Sequence, residues 1–460
     1  MAAHFSTFRD PSGLVRFRSC LAPYNPKDLN LDARLVTFDS TWTSSMRLLT
    51  NGVVPGSSLS TRTLTYTGFG TTPGDGTRTV RVLPLAGANG PGRPTLAWMR
   101  NNGGTLTYFA AGSALSTPGT TMSYARGYGV CAVTLVDNEI QFSPSRASMD
   151  YAYFVFGVNP TAAEAGGGNG GRIGLHPLYG RGLFFSRPGF NHLTCALDDM
   201  MLSTHRNHFQ VEETGTVFPQ TYGGGGEFLP TSLVSGDPFP ILLSAGTLRN
   251  CGIVTLRKSY PHYPPVIAYS MGTGHQQTPS IFWLSANQLL IAGMPDGTTG
   301  IRYAVVASDP AYQPGVDTST VCRTRFWRGQ EALVSKHNIS WFSAGPNDFL
   351  FRSSRISPRF ADFGSILTGG ISGMYGLPAG GIPPDGAGSP FGFFLVQDQG
   401  QWWCGAGFAH MQDVVTATGT YYNTRFRAAI VDRTRYWWFR DAAWTGSMFG
   451  WLAAMNLSDF

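Results

Sequence analysis

Charge is the scarcest commodity in this chain of 460 residues. Charged side chains make up 13% of it, with three lysines and six glutamates in all. Long helices in water normally line their outer face with Glu and Lys, so this composition excludes a predominantly helical protein. Thirty of the 33 basic residues are arginine, and the formal charge of +6 is a weak bias at this length. No run of five Lys or Arg exists, so a nucleic-acid groove is not expected. The preference for Arg over Lys reads as codon bias in a GC-rich genome. The six cysteines (Cys20, Cys131, Cys195, Cys251, Cys322, Cys404) form no C-x-x-C pair and are expected to be reduced thiols in a protein made in the cytoplasm. No apolar run has the length of a membrane span, and no secretory signal is expected at the start.

What is abundant is Gly (58), Pro (30) and apolar side chains, 42% of the chain, with 13% aromatic. Gly and Pro together stay below the level that marks disorder, and the apolar content suffices for packed cores. The length suits about three domains.

Comparison of the chain with itself finds a threefold repeat. A strand apolar on both faces closes each unit: Tyr151 to Pro160, Ile301 to Pro310, and more weakly Gly450 to Asp459. Pro160 and Pro310 lie 150 residues apart, and Pro310 and Asp459 lie 149 apart. Such runs fit central strands covered on both sides. Each unit opens with two short strands across a loop: Gly13 to Ser19 and Leu35 to Trp42, Gly182 to Gly189 and Asp199 to His205, Ala332 to Asn338 and Asp348 to Arg355. The first copy has the longer loop, Cys20 to Arg34. Middle strands begin at Pro94, Pro265 and Pro390, a favoured strand-start position for proline. Hairpins are expected at Val133 to Phe142, Phe282 to Ile291 and Ala429 to Trp438, with tight turns at Asp137-Asn138 and Ala286-Asn287. The expected fold is all-β: three tandem β-sandwich-like modules at 1–165, 172–310 and 326–460, strung on joints at Gly166–Gly171 and Ala311–Arg325.

The second opening, Ser186-Arg-Pro-Gly-Phe-Asn191 followed by Met200 to Ser203, resembles the first strands of small phage tail-tip and tail-fibre proteins. These begin with a Ser-Lys/Arg-Pro-Gly-x-Asp/Asn turn and continue with a Leu-x-Phe-x-Ser strand. Asp39-Ser40 and Ser353-Ser354 follow the second half of the pattern, while the first and third units lack the Pro-Gly turn. Tyr263 to Tyr269 is similar to a Tyr-x-Pro strand of the same proteins. The resemblance implies a structural protein of a bacteriophage virion, in the tail tip or a tail fibre. It implies tail assembly and host attachment, with other tail proteins and a host-surface glycan or protein as partners. It implies no chemistry, because these motifs build turns and strands.

His192, Cys195, His205 and His208 have spacings that zinc ligands use. Residues three apart on a strand face opposite sides, and the other units place Trp42 and Arg355 at the His205 position and Ser45 and Pro358 at the His208 position. No metal or other cofactor is expected. No G-x-S-x-G occurs, and Gly370-Ile-Ser-Gly373 is too short to replace it. Gly166–Gly171 and Gly223–Gly226 lack the residues of a phosphate loop. Asp198-Asp199 and Glu212-Glu213 read as solvated loop acids, so a carboxylate pair for glycosidase chemistry is not expected. The tryptophan pairs Trp402-Trp403 and Trp437-Trp438 are candidate receptor or partner contacts, because indole faces stack on sugars and on protein partners. The alternatives to a tail structural protein are a carbohydrate-active tail spike and a capsid decoration or head–tail joining protein. Exposed strand edges with few lysines to guard them point to a homo-oligomer, a trimer by the habit of tail fibres.

Overall fold

A computed structural model describes residues 3–31, 35–41, 47–66, 76–85, 95–101, 107–109, 135–136, 139–142, 149–157, 171–186, 189–195, 199–218, 220–222, 248–262, 266–272, 280–292, 298–313, 321–326, 331–358, 360–367, 373–376, 391–398, 401–406, 409–416, 419–430, 435–440 and 449–455, with the isolated positions 145, 147 and 264. These residues form an all-β protein of small antiparallel sheets. The first segment holds β1 (Ala3–Arg9), β2 (Val15–Leu21), β3 (Val36–Asp39), β4 (Arg47–Pro55), β5 (Ser60–Tyr66), β6 (Gly76–Pro84), β7 (Thr95–Asn101), β8 (Thr107–Phe109), β9 (Leu135–Val136), β10 (Glu139–Phe142) and β11 (Met149–Gly157). The second holds β12 (Gly171–His176), β13 (Gly180–Ser186), β14 (Met200–Ser203), β15 (Val211–Val217), β16 (Gln220–Tyr222), β17 (Leu248–Thr255), β18 (Val266–Gly272), β19 (Ser280–Ser285), β20 (Gln288–Ala292) and β21 (Thr298–Val306). The third holds β22 (Thr324–Phe326), β23 (Ala332–Ser335), β24 (Phe349–Arg352), β25 (Phe360–Leu367), β26 (Gly373–Gly376), β27 (Phe391–Asp398), β28 (Gln401–Ala406), β29 (Ala409–Thr416), β30 (Gly419–Ile430), β31 (Arg435–Arg440) and β32 (Phe449–Met455).

One pairing scheme recurs in the three segments. The opening sheets are β1-β2-β3, β12-β13-β14 and β22-β23-β24. In each, the register between central and third strand shifts at the same place, after Ser19, Phe185 and Val334. The shift is a β-bulge, which sharpens the local twist. The closing strands are central, as their two-sided apolar sequence requires: β11 lies between β4 and β7, β21 between β15 and β18, and β32 between β25 and β27. The middle strands start at Thr95, Val266 and Phe391, each directly after its proline. The further sheets run β5-β6-β10-β9, β16-β17-β20-β19 and β26-β31-β30-β29. In the third copy β26-β31-β30 stand where β6-β10-β9 stand in the first, and β29 is added beside β30.

The opening sheets repeat their hydrogen bonds atom for atom. The amides of Phe17, Leu183 and Ala332 donate to the hydroxyls of Ser40, Thr204 and Ser353, at 2.9, 3.0 and 2.9 Å. In return, the amides of Ser40, Thr204 and Ser353 donate to the carbonyls of Phe17, Leu183 and Ala332. All three hydroxyl residues are buried. The next strand begins seven residues after each, at Arg47, Val211 and Phe360. One cross-strand ion pair also recurs, with its charges exchanged. Arg16 meets Asp39 at 3.2 Å in the first segment, and Glu331 meets Arg352 at 3.0 Å in the third. The second segment has Gly182 and Ser203 at those positions.

This register corrects the equivalence read from the sequence by one residue. Thr41 and Ser354, not Trp42 and Arg355, correspond to His205. Ser357, not Pro358, corresponds to His208, and the first-segment counterpart lies outside the described residues. The third opening sheet starts at Thr324, so the boundary expected at 326 falls inside β22.

The segments are not beads on a string. Phe17 and Phe38 of the first, Leu183, Phe185 and Leu202 of the second, and Ala332, Val334, Leu350 and Phe351 of the third form one buried core. Equivalent residues meet directly, with the Phe38 and Phe351 rings 5.5 Å apart and nearly perpendicular. Phe17 lies 5.9 Å from both Phe185 and Phe351. Each opening sheet has few apolar residues of its own, so burial of its inner face depends on the other two. Polar links tighten the hub. The Gln210 side-chain amide donates to the Arg352 carbonyl (3.0 Å) and its oxygen accepts the Arg352 amide (2.9 Å). Thr37 Oγ1 donates to the Ser353 carbonyl (2.9 Å), and Val211 bridges Ile356. Outside the hub, β8 pairs with β19, Phe109 opposite Ile281, and fuses sheets of the first two segments into one of eight strands. Residues Ala311 to Gln313, expected as part of a joint, are clamped together with the preceding Asp309. Asn51 and Asn207 both donate to the Tyr312 carbonyl, and Lys336 pairs with Asp309 at 2.8 Å.

Candidate interaction face

The loop that leaves the central strand of each opening sheet is built to one plan. Residues Cys20, Ser186 and Ser335 each donate a side-chain hydrogen bond to the carbonyl four residues on, at Tyr24, Phe190 and Ile339. Asn25, Asn191 and Ser340 then accept, through side-chain oxygens, the amides of Lys27, Leu193 and Phe342 at 3.0, 2.9 and 3.3 Å. Their carbonyls accept the amides of Asp28, Thr194 and Ser343. This is the Asx or Ser turn, in which a short polar side chain mimics a backbone turn. Gly189 and Asn338 take positive φ of 83° and 61°, a region open to Gly and tolerated by Asn. The first segment has Pro23 there, in a cis peptide with Ala22. The turn expected in the second unit alone is thus shared by all three, with Asn25, Asn191 and Ser340 at its matching position. Phe342 is 82% exposed, Tyr24 41% and Leu29 40%. Beside Phe342, the Arg325 guanidinium covers the Trp341 ring at 4.4 Å.

His176, His205 and His208 take structural roles. His176 Nδ1 accepts the Leu178 amide (3.1 Å), leaving Nε2 to donate to the His192 carbonyl (2.9 Å). His205 stacks on Phe184, 5.5 Å away and 6° from parallel, and lies 5.2 Å from the His337 ring. His208 Nε2 donates to the Ser203 carbonyl at 2.8 Å. Burial lowers the His208 pKa to about 4 against the opposing pull of that hydrogen bond, with Arg206 adding to the fall, so the ring is neutral at pH 7. Among the described residues, no three His, Cys, Asp or Glu side chains gather as a metal would need.

Glu212 and Glu213 correct their reading as solvated loop acids. Both lie on β15 and are buried. Glu212 pairs with Lys258 and with the buried Arg355 of the third segment. Glu213 accepts the Arg257 amide (2.8 Å) and the Tyr260 hydroxyl (3.2 Å). Burial, reinforced by this carboxylate, pushes the Tyr260 hydroxyl far above its usual range. Buried carboxylates satisfied in this way act as fasteners.

The tryptophan pairs sit on different sheets. Trp402 and Trp403 lie on β28, opposite Gln397 and Val396, at the edge of β25-β32-β27-β28. Trp437 and Trp438 lie on β31, an inner strand of β26-β31-β30-β29. The strands do not join them in one ladder, and their side chains lie outside the described residues. A cavity of about 20 Å³ between the segments is lined by Phe38, Met200, Met201, His208 and Phe209, room for one water molecule. Comparison of the chain with family models, curated proteins and solved structures finds no match.

Proposed function

We propose that this chain is a non-enzymatic structural component of a bacteriophage tail, at the tip or in a fibre, acting through assembly with other tail proteins and through host attachment. The carrying observation is that the turn-and-strand unit on which the resemblance rests occurs three times and converges on one core. A scaffold of this kind spends its buried polar groups on fastening segments together, as Gln210, Glu212 and Arg355 do. What it offers outward is a set of repeated turns, the form of a protein whose work is to hold neighbours at fixed spacing. The expected homo-oligomer, a trimer, belongs to the same proposal. A host-surface glycan at Trp402, Trp403, Trp437 or Trp438 belongs to the same proposal.

The test is to locate the protein in purified particles with gold-labelled antibody. Label confined to the tail supports the reading. Label on the head, or absence of the protein from particles, refutes it.

A further inference from the structure

Beside the shared core, a small cavity lies where the three segments meet. It is lined by Phe38 and Arg47 of the first segment, Arg206, His208 and Phe209 of the second, and Ser357 of the third. Arginines from two different segments thus line one space, and both are buried, at 8% exposure for Arg47 and 7% for Arg206. Among the described residues that line the cavity, none is Asp or Glu. The positive surroundings act on His208. Burial first, and the charge of Arg206 after it, keep that ring neutral against the pull of its hydrogen bond to Ser203. Both arginines also interact elsewhere. A guanidinium carries five N–H donors in a fork, so the cavity needs only part of each. Like charges in a poorly solvated space repel, and a buried charge is costly unless a counter-charge meets it.

We infer that this cavity is a halide site, in which one chloride ion bridges Arg47 and Arg206 and ties the first segment to the second beside the hub. Size and wall chemistry select the ion. A volume of about 20 Å³ admits one water molecule. A chloride ion is little larger, whereas sulfate and phosphate are too large, and an organic carboxylate brings a carbon skeleton for which there is no room. The apolar walls at Phe38 and Phe209 offer a strongly hydrated ion nothing in exchange for its water, which disfavours fluoride. The ion acts as a fastener between segments, in the place that Glu212 takes for the buried Arg355 at the junction of the second and third. Because the site is assembled from separate segments, it exists only in the folded chain, and its occupancy stabilises the fold.

The experiment unfolds the full chain in urea at neutral pH and a constant ionic strength of about 0.1 M, where exposed charges are screened alike, with sodium chloride exchanged stepwise for sodium gluconate. Once the site is filled, a tenfold rise in chloride should lower the unfolding constant about tenfold. Fluoride should behave like gluconate. Arg47→Gln and Arg206→Gln should each abolish the chloride dependence, whatever they do to stability itself. Crystals of the unaltered chain grown in bromide should show its anomalous signal in the cavity, within hydrogen-bonding distance of both guanidinium groups. The inference is overturned if chloride and gluconate give the same unfolding constant, or if the dependence persists unchanged in both variants. It is equally overturned if bromide is found on the surface alone, as an adventitious ion only. None of these readouts depends on where the protein sits in a particle, so the tail reading stands or falls separately.

Discussion

Removing the three hub hydroxyls tests the repeat at the level of single atoms. Ser40, Thr204 and Ser353 each accept the amide of a central strand at 2.9 to 3.0 Å in a buried setting. Substitution by Ala (Val at Thr204, which keeps the branch) strands that amide away from water. A buried donor left unsatisfied costs about 1–3 kcal/mol. The loss is felt at the hub because the same residue returns its own amide to the partner carbonyl. Urea unfolding followed by intrinsic fluorescence should show the midpoint falling in all three variants, by similar amounts and with little change in slope. Ser58→Ala is the control, since that hydroxyl is exposed and bonds only its own turn. It should shift stability by less than about 0.5 kcal/mol. If two of the three hub variants behave like the control, the equivalence of the segments is wrong.

Further outcomes follow from the same packing. Phe17→Ala removes a ring that touches both other segments, and it should cost about 3–5 kcal/mol in the same urea assay, with all segments unfolding earlier together. Gly182→Ala would place a methyl carbon 2.2 Å from Thr204 Oγ1 and 2.9 Å from the Phe184 ring. It should destabilise by about 1–3 kcal/mol, and thermal unfolding should show it. His208 is depressed to about 4 from 6.5 in the fold, so unfolded chains bind more protons between those values. Its contribution to stability is complete above pH 6.5 and is lost as pH falls toward 4. A stability profile whose slope in that window is unchanged in His208→Gln would contradict this.

The strands legible in the sequence were those whose signal is local. The two-sided apolar runs at Tyr151 and Ile301 and the prolines before Thr95, Val266 and Phe391 needed no distant partner to be recognised. The shared core was not legible, because Phe17, Leu183 and Ala332 are separated by more than a hundred residues and each sits in a sheet too small to announce a core. The equivalence of His205 slipped by one because the loops differ in length and the bulges after Ser19, Phe185 and Val334 leave no mark in composition. Glu212 and Glu213 looked solvated because adjacent acids usually are. Their partners Arg355, Lys258 and Tyr260 lie more than forty residues away. The common turn was hidden because its matching residues, Asn25, Asn191 and Ser340, are preceded by unlike sequences.

The central claim is that one chain folds its three segments around a shared hub and presents three matched turns to its neighbours in a tail. A density map of the intact tail, reconstructed without imposed symmetry and traced to side chains, tests it most directly. The account predicts a chain in the tail whose Phe38, Leu202 and Phe351 pack together in one shared core. A chain whose segments lie apart along the particle, or one found on the capsid, would contradict it.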